Sequence, residues 1–197
     1  MIKILAFAGS ARTESFNKKL IRIAAAGAQA AGAEVTLIDL AEFTMPLFDQ
    51  DLEAREGMPP AAQQFRNLMI EHDGFIIASP EYNSAFTPLL KNTLDWASRA
   101  TPEDARPLVA FRGKYAAIMA TSPGGLGGLR GLVMLRMVLG NIGVTVIPDQ
   151  QAVPFAGKAF TATGALKDEQ RHAAISALGA TLTDTLVRIN PAKIPLL

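Results

Sequence analysis

IKILAFAGSARTESFN, residues 2–17, passes from an apolar run through a polar turn into an amphipathic segment. The run 2–8 is apolar at successive positions and ends at Gly9, which is typical of a strand buried on both faces of a parallel sheet. Residues 15–31 carry apolar side chains at helical spacing and end before Gly32, which predicts a helix. A buried strand followed directly by a helix favours an α/β fold.

The rest of the chain repeats this alternation. Further strands are predicted at 34–40, 73–79, 115–121 and 143–147, and further helices at 60–71, 87–98, 127–139 and 166–188. Five strands alternating with helices predict a parallel sheet with helices on both faces, in one domain over residues 1–197. The long connections, at 41–59, 99–114 and 148–165, are expected to be functional or interfacial.

Composition disfavours several classes of protein. The 197 residues are 49% hydrophobic and 19% charged, with a net charge of +1, so we expect neither disorder nor a nucleic-acid partner. The absence of cysteine excludes disulfides, thiolate metal sites and cysteine nucleophiles. No apolar run reaches the roughly 18 residues of a membrane span, and no signal peptide is evident. We therefore expect a soluble cytoplasmic protein with no membrane partner.

Three segments are predicted to meet at one edge of the sheet. In open parallel sheets, ligands bind beyond the carboxyl ends of the strands, where the strand order reverses. The segments that follow the first, third and fourth predicted strands are 9–17, 80–86 and 122–130, and they are the most unusual in composition. We expect them to form the ligand site.

The segment 9–17 is suited to a single phosphate group. A helix N-terminus offers unpaired N–H groups and a partial positive charge, and Gly9 permits close approach to the backbone. Arg12 adds a charge-assisted contact, and further donors are available at Ser10, Thr13, Ser15 and Asn17. Neither a P-loop nor a dinucleotide fingerprint occurs here, so a mononucleotide fits better. The alternative is an ordinary helix start, with Ser15 as N-cap and Arg12 solvated.

The other two segments are suited to a flat ring. In SPEYNSAFTPLLKNTLDW (79–96), Pro80 ends the strand, and the next three residues offer backbone amides and the Tyr82 ring. In TSPGGLGGLRG (121–131), the glycines let the backbone lie close to a planar group. The alternatives are a polar turn with Tyr82 half-buried and a flexible glycine turn.

Taken together, the motifs resemble those of the NADPH-dependent FMN reductase family. GSARTESFN is similar to the family's GSxRxxSxN phosphate loop, and PEYN followed by SAFTPLLKNTLDWAS is similar to its second signature. MPLFDQDLE (45–53) and SPGGLGG are looser matches, and the resemblance runs from residue 2 to about 150. It implies a flavodoxin-like three-layer α/β/α sandwich whose five-stranded parallel sheet has the order 2-1-3-4-5.

The resemblance also implies bound FMN and a set of residues that hold it. Ser10, Arg12, Ser15 and Asn17 would hold the phosphate, with Phe16 beside it. The isoalloxazine would meet Pro80, Glu81, Tyr82 and Asn83, largely through backbone groups, and its other edge would be lined by Ser122, Gly124 and Gly125.

The activity implied is a ping-pong reduction in which NADPH or NADH passes hydride to flavin N5 and a small-molecule acceptor then takes the electrons. The acceptors would be quinones, azo compounds, metal oxyanions or free flavin, and the protein would be a homodimer or homotetramer. Because the flavin supplies the chemistry, we expect no catalytic acid, base or nucleophile. The sequence shows no 2′-phosphate site, so it does not separate NADPH from NADH. The alternatives are a flavodoxin-like electron carrier and a non-catalytic module that binds a phosphorylated ligand.

The remaining candidates are given structural interpretations. His72 and His172 are isolated and predict no metal site, and Trp96 and the methionines are expected in the core or on a dimer surface. The carboxylates of Asp49, Asp51 and Glu53 are expected to be solvated or interfacial. The loop 99–113 and the tail after residue 150 carry no motif that assigns them a role.

Overall fold

A computed structural model of the protein describes residues 1–190; the last seven residues of the expected domain 1–197 lie outside the described part, and that the whole chain forms one domain stays a prediction. The strands are β1 (Lys3–Ala8), β2 (Glu34–Asp39), β3 (Gly74–Ala78), β4 (Glu81–Tyr82), β5 (Ala85–Phe86), β6 (Tyr115–Thr121) and β7 (Thr145–Val153). The helices are α1 (Phe16–Ala30), α2 (Gln50–Glu56), α3 (Pro60–Glu71), α4 (Pro88–Ala97), α5 (Leu129–Asn141), α6 (Ala156–Ala159) and α7 (Glu169–Ile189).

Five of the strands form one parallel sheet with the order β2-β1-β3-β6-β7. Counted over this sheet alone the order is 2-1-3-4-5, so the predicted flavodoxin-like topology is confirmed. The central strands β1 and β3 are buried along almost their whole length. Apolar clusters cover both faces of the sheet, one formed with α1 and α7 and the other with α3, α4 and α5.

This strand order brings the three candidate segments together. The carboxyl ends of β1, β3 and β6 lie side by side, and the chain changes its direction across the sheet between β1 and β3. A switch of this kind leaves a crevice between the loops that follow the two strands. The candidate site therefore lies at the centre of this edge.

Two glycines allow α1 and α7 to pack at close range. A Cβ atom added to Gly27 would lie 2.0 Å from the carbonyl oxygen of Ser176, and one added to Gly179 would lie 2.0 Å from that of Ala24. No side chain fits in either place. The close contact fixes α1, and with it the helix N-terminus that belongs to the candidate site.

The fifth sheet strand is longer than predicted. The sequence predicts a strand at 143–147 and a connection from 148 onward, but β7 continues through 148–153. Pro148 lies where the pairing of β7 with β6 shifts register, a place where a strand tolerates proline. Arg136 on α5 donates to two carbonyl oxygens of the strand here, at 3.0 and 3.1 Å. The continuation itself consists of pairing with β6, which is distant in sequence, so local pattern does not reveal it.

The structure contains short elements that the sequence did not predict, both in the segment 80–86 and in the long connections. The hairpin β4–β5 turns through Asn83 and Ser84, whose φ values of 51° and 70° are those of a two-residue hairpin loop. Helix α2 is capped by Asp49, which accepts a hydrogen bond from the Leu52 N–H at 2.8 Å. Asp51 is exposed, whereas Glu53 forms an ion pair with Arg99.

The loop 99–113 is held to α3 by a buried ion pair between Asp104 and Arg66. The Arg66 Nε also donates to the carbonyl oxygen of Arg99 at 3.1 Å. Burial alone would raise the pKa of Asp104, but hydrogen bonds from the Thr101 N–H and from Arg66 outweigh it and hold the pKa below its usual value. The loop is therefore fixed to the fold through a charged group.

The second signature also has a structural use. Trp96 is fully buried, and its indole N–H and the Asn92 amide both donate to the carbonyl oxygen of Pro46 at 2.8 Å. Asn92 accepts from the Phe48 N–H at 2.7 Å. The asparagine and tryptophan of this motif thus hold the connection after β2 against α4.

Within the described part of the chain, no helix has the length and apolar character needed to cross a bilayer.

Candidate functional site

The site begins at the turn after β1. The Gly9 N–H donates to the carbonyl oxygen of Ala78 on β3 at 2.8 Å, and the Gly9 oxygen accepts from the Thr87 hydroxyl at 2.7 Å. A Cβ at Gly9 would lie 3.1 Å from the Leu90 Cβ, which leaves almost no room for a side chain. The first loop is thereby fastened to β3 and to the start of α4.

The N-terminus of α1 is not capped by its own serine. Ser15 occupies the N-cap position, but its hydroxyl accepts no hydrogen bond from the first turn of the helix. The caps of α2, α4 and α7, in contrast, all accept one. An ordinary helix start would use the Ser15 hydroxyl to satisfy a free N–H group. The arrangement instead leaves the first turn of α1 open to an acceptor from outside the chain.

Arg12 lies beside this helix end without a carboxylate partner. Its side chain is exposed and forms no ion pair with any of residues 1–190. The guanidinium carbon lies 5.8 Å from the centre of the Phe16 ring, and Phe16 stacks on Phe160 with 5.8 Å between ring centres. A free cation next to an open helix N-terminus is suited to an anion.

Asn17 joins the first loop to the third. Its Nδ2 donates to the Thr121 carbonyl oxygen at 2.9 Å, and its Oδ1 accepts from the Thr121 N–H at 3.1 Å. Asn17 is 3% exposed. The resemblance assigns the Asn17 side chain to a phosphate, but its amide has only one N–H left to donate to a ligand.

In the second loop, the Glu81 carboxylate is engaged by α5. It accepts from Arg130 at 2.8 Å and from the Gly131 N–H at 3.1 Å, both on α5. Tyr82, next to it, is 57% exposed. This loop therefore presents an exposed aromatic surface, and Arg130 has a positioning role that sequence reasoning missed.

The glycines of the third loop fall into two pairs. Gly127 and Gly128 have positive φ, and a Cβ on either would lie within 2.7 Å of Val153 or Ala120 atoms. Gly124 and Gly125 have ordinary φ, and an added Cβ would approach neighbouring atoms no closer than 3.6 Å. The first pair is required by packing, and the second leaves open space beside the loop.

These loops enclose one cleft. It contains nine of the twelve predicted residues and two that were missed; the lining consists of Ser10, Arg12, Ser15, Phe16, Asn17, Pro80, Glu81, Tyr82, Thr121, Ser122 and Pro123. The two missed residues are Thr121 and Pro123. They are the neighbours of Ser122, which was predicted, and this adjacency is the sequence signal that could have found them. Asn83, Gly124 and Gly125 do not line this cleft.

The two histidines lie away from the cleft. His72 is buried, with Nδ1 2.6 Å from the Leu68 carbonyl oxygen and Nε2 2.8 Å from the Thr36 hydroxyl. His172 lies on α7 and accepts a long hydrogen bond, 3.4 Å, from the Leu166 N–H. Among residues 1–190, no three acidic or histidine side chains are grouped so as to hold a metal ion.

The geometry suits a phosphorylated ligand with a planar ring. The open end of α1 beside Arg12 offers donors to an anion, and the exposed Tyr82 ring and the open side of the third loop offer surfaces to a planar group. The ionisable side chains of the cleft are Arg12, Glu81 and Tyr82, and the carboxylate is engaged by α5. Redox chemistry here would come from the bound group. The fold thus defines a flavodoxin-like domain, and the cleft lies at the carboxyl ends of its central strands.

The chain belongs to the NADPH-dependent FMN reductase family, whose model matches residues 2–158. This membership confirms the resemblance and the predicted enzyme class, an oxidoreductase that uses FMN as cofactor and NAD(P)H as co-substrate. It also favours the enzyme over the electron carrier and the non-catalytic binding module.

Curated relatives agree with this assignment. The chain is 35% identical to an NAD(P)H-dependent FMN reductase of Pseudomonas aeruginosa over 170 residues, 86% of each protein. It is 37% identical over 140 residues to an NADPH:quinone oxidoreductase of Arabidopsis thaliana, covering 70% of this chain and 66% of the plant protein. A quinone reductase of Escherichia coli is 33% identical over 138 residues, covering 70% of this chain and 69% of that protein.

Solved structures share the fold. The flavoenzyme NAD(P)H:acceptor oxidoreductase FerB of Paracoccus denitrificans superposes with a TM-score of 0.77 at 23% identity, covering 95% of this chain and 98% of that one. An NADH:FMN oxidoreductase in its apo form gives a TM-score of 0.67 at 24% identity, covering 92% and 90%.

Proposed function

We propose that the cleft holds FMN with its phosphate at the N-terminus of α1. Ser10, Arg12, Ser15 and the first-turn N–H groups would bind the phosphate, with the Phe16 ring beside it and the remaining Asn17 N–H as a further donor. The observation that carries this proposal is the Ser15 hydroxyl, which stands at the N-cap without capping the helix, next to an arginine with no carboxylate partner. A phosphate supplies the missing acceptor and the missing negative charge.

The flavin ring would lie between the second and third loops. The segment Pro80–Asn83 would meet it through backbone groups and the Tyr82 ring, since the Glu81 carboxylate is turned towards α5. Ser122, Gly124 and Gly125 would line the other edge, because the two glycines leave space in which a Cβ would stand. Asn83, in the hairpin turn, would contribute its backbone from outside the cleft.

When bound, FMN supplies the two-electron chemistry, accepting hydride from a nicotinamide and passing electrons to an acceptor. The chain's own task is to bind and orient. Backbone N–H groups of the second and third loops would favour negative charge on a ring held between these loops. No side chain of the cleft is assigned a proton transfer.

We propose that the nicotinamide and the acceptor occupy the same place in turn, giving ping-pong kinetics. The acceptors proposed are small molecules: quinones, azo compounds, metal oxyanions or free flavin. The names of the plant and E. coli relatives favour quinones. Initial rates at several acceptor concentrations test the scheme, because ping-pong kinetics give parallel double-reciprocal lines and a ternary complex gives intersecting ones.

The primary experiment is to purify the protein, record its visible spectrum and identify the flavin released on denaturation. We expect FMN, and steady oxidation of NAD(P)H with a quinone and without a partner reductase. A colourless protein that takes up no FMN on titration would overturn the proposal.

We further propose that the protein is a homodimer joined through α5. Five large apolar side chains lie exposed on or just before this helix, each 40–60% accessible; they are Leu126, Leu129, Val133, Met134 and Met137. Their spacing places them on one stripe, which is far more apolar surface than a solvated helix shows. The stripe adjoins the site, since Arg130 of the same helix binds Glu81. A second copy of this chain is therefore the proposed partner.

Sedimentation velocity tests this assembly. We expect twice the 20.9 kDa mass, or four times if dimers pair into the alternative homotetramer, and a monomer for V133E/M137E. A monomeric wild-type protein at micromolar concentration would contradict it.

A cytoplasmic location is proposed because an NAD(P)H-dependent reductase needs a compartment that regenerates its reductant. Fractionation of cells that express the tagged protein tests this.

A further inference from the structure

A second cavity opens between α6 and the start of α7. Its volume is about 440 Å³, which lies within the range of roughly 300–1,000 Å³ typical of small-molecule sites. Its walls include Phe155, Lys158, Ala159, Leu166, Lys167 and Arg171. The family match ends at residue 158, so most of these residues lie beyond the part of the chain that family membership describes.

The cavity has an apolar floor and a basic rim. Leu166 is 5% exposed and contributes to the floor. Lys158 and Lys167 are exposed, and neither forms an ion pair with any residue of the described chain. Arg171 has one exposed partner, Asp168, at 3.2 Å. Three cations against one carboxylate make this rim locally positive in a chain whose net charge is only +1, so the cavity favours an apolar ligand that carries an anion.

Phe155 stands at the mouth of this cavity in an unfavourable conformation. Its φ of 53° and ψ of 45° are left-handed, and its ring is 58% exposed. A glycine would adopt this backbone without strain, and an exposed ring gains little from burial. Strained residues of this kind cluster at active sites, ligand clamps and switch regions. An exposed ring held in a fixed place offers a surface for an aromatic ligand to stack on.

The same residue connects the cavity to the flavin cleft. The Phe155 N–H donates to the carbonyl oxygen of Gly124 at 3.3 Å, and the Ala156 N–H donates to that of Ser122 at 3.0 Å. The Gly125 position also faces the Phe155 ring, with 3.6 Å between a Cβ built there and the ring. The loop that lines the cleft is therefore bonded directly to the mouth of the cavity.

We propose that this cavity receives the adenosine 2′-phosphate end of NADPH, an inference that rests on the proposed function of the cleft. The adenine stacks on Phe155, and Lys158, Lys167 and Arg171 bind the 2′-phosphate. The nicotinamide end extends along the third loop into the cleft. Since NADH lacks the 2′-phosphate, the basic rim selects NADPH over NADH.

Calorimetry on the purified holoprotein tests the site without turnover. We expect 2′,5′-ADP to bind at least about tenfold more tightly than 5′-AMP, because only the former carries the 2′-phosphate. In K158Q/K167Q this difference shrinks to about twofold or less. The control K3Q/R55Q removes two exposed positive charges elsewhere and keeps the difference. Equal binding of the two nucleotides by the wild type, or an unchanged difference in K158Q/K167Q, would overturn the inference.

Steady-state rates give a second readout. The ratio of KM for NADPH to KM for NADH rises about tenfold in K158Q/K167Q and stays constant in K3Q/R55Q. If the wild type oxidises both nucleotides with equal KM and binds no 2′,5′-ADP, this inference is wrong while the flavin proposal stands. If the protein takes up no FMN but still binds 2′,5′-ADP through these lysines, the flavin proposal is wrong while the cavity is still a nucleotide site.

Discussion

Asn17 and Thr121 are 104 positions apart in the chain, yet the side chain of one pairs with both backbone groups of the other. The amide of Asn17 acts as a short section of strand that completes the hydrogen bonding at the end of β6. The first turn of α1 and the start of the third loop are thereby held at a fixed separation. This separation sets the distance between the proposed phosphate site and one edge of the proposed ring site.

We expect Asn17→Asp to loosen this connection. A carboxylate can still accept from the Thr121 N–H, but it faces the Thr121 carbonyl oxygen without a proton to donate, so the buried contact becomes repulsive. The expected loss is about 1–3 kcal/mol in the free energy of unfolding, together with weaker FMN retention. Asn67→Asp is the matched control, because Asn67 is exposed and bonds only to Gln63. Urea denaturation of both variants checks this; equal stabilities would show that the Asn17 bonds contribute nothing.

Arg12→Ala is expected to weaken FMN binding. A charge-assisted contact to phosphate contributes roughly 1.5–3 kcal/mol, and the exposure of Arg12 puts it at the lower end, so we expect about a tenfold rise in Kd. Arg55→Ala is the control, since Arg55 is exposed and pairs only with the neighbouring Glu56. Quenching of flavin fluorescence measures both. An unchanged Kd for Arg12→Ala would remove the arginine from the phosphate site.

The same substitution at two glycines of the third loop should give opposite results. At Gly127, with φ of 63° and backbone atoms of Val153 within 2.8 Å of the new Cβ, alanine is expected to lower the free energy of unfolding by about 2 kcal/mol or more. At Gly124 the fold has room for the methyl group, which instead occupies space assigned to the flavin. Without flavin, Gly124→Ala should therefore melt at the same temperature as the wild type without flavin, and it should bind FMN more weakly than the wild type does. Loss of stability in Gly124→Ala, with normal FMN binding, would contradict this division.

The buried Asp104–Arg66 pair predicts a specific acid dependence. The pKa of Asp104 is lower in the folded protein than in the unfolded chain, so the charged carboxylate stabilises the fold at neutral pH. This contribution is complete above the usual aspartate pKa of about 4 and disappears as the pH falls through the lower folded value. Asp104→Asn should thus be less stable than the wild type at pH 7, by about 3 kcal/mol if it leaves Arg66 unpaired.

Once the pH falls below the lowered pKa of Asp104 in the folded protein, the two proteins should converge, because the wild-type carboxyl is then also neutral. Asp39, whose pKa is likewise lowered, is present in both and cancels in the difference. Urea unfolding at several pH values measures the comparison. A stability difference that stays constant across this range would show that Asp104 is not the titrating group.

The sequence predicted what depends on local pattern. The buried strands, the amphipathic helices and the composition of the three loops can be read from contiguous residues, so the parallel α/β architecture and the three segments of the site followed from them. The strand order and the individual cleft residues came from the resemblance to the FMN reductase family. The separate roles of the glycines in the third loop could not be predicted from the sequence. Gly124 and Gly127 look identical in sequence, but only the packing of β7 against the loop separates a glycine that is required from one that leaves space.

Contacts between distant residues account for what was missed. β7 continues past Pro148 because residues 150–153 pair with β6, and nothing within 148–153 indicates this pairing. The tail after residue 150 has no motif, yet Phe160 supports Phe16 and Phe155 bonds to Gly124. Asn17 was assigned to a ligand because it stands beside other donors in the sequence, whereas its main partner is Thr121 on β6.

The uncapped end of α1 has a further consequence. In the holoprotein that we propose, the FMN phosphate completes the hydrogen bonding of this first turn, so the holoprotein should be more stable than the chain without flavin. Heat resistance should then rise with the supply of vitamin B2 in the growth medium, and chains made under riboflavin starvation should be the first to be degraded.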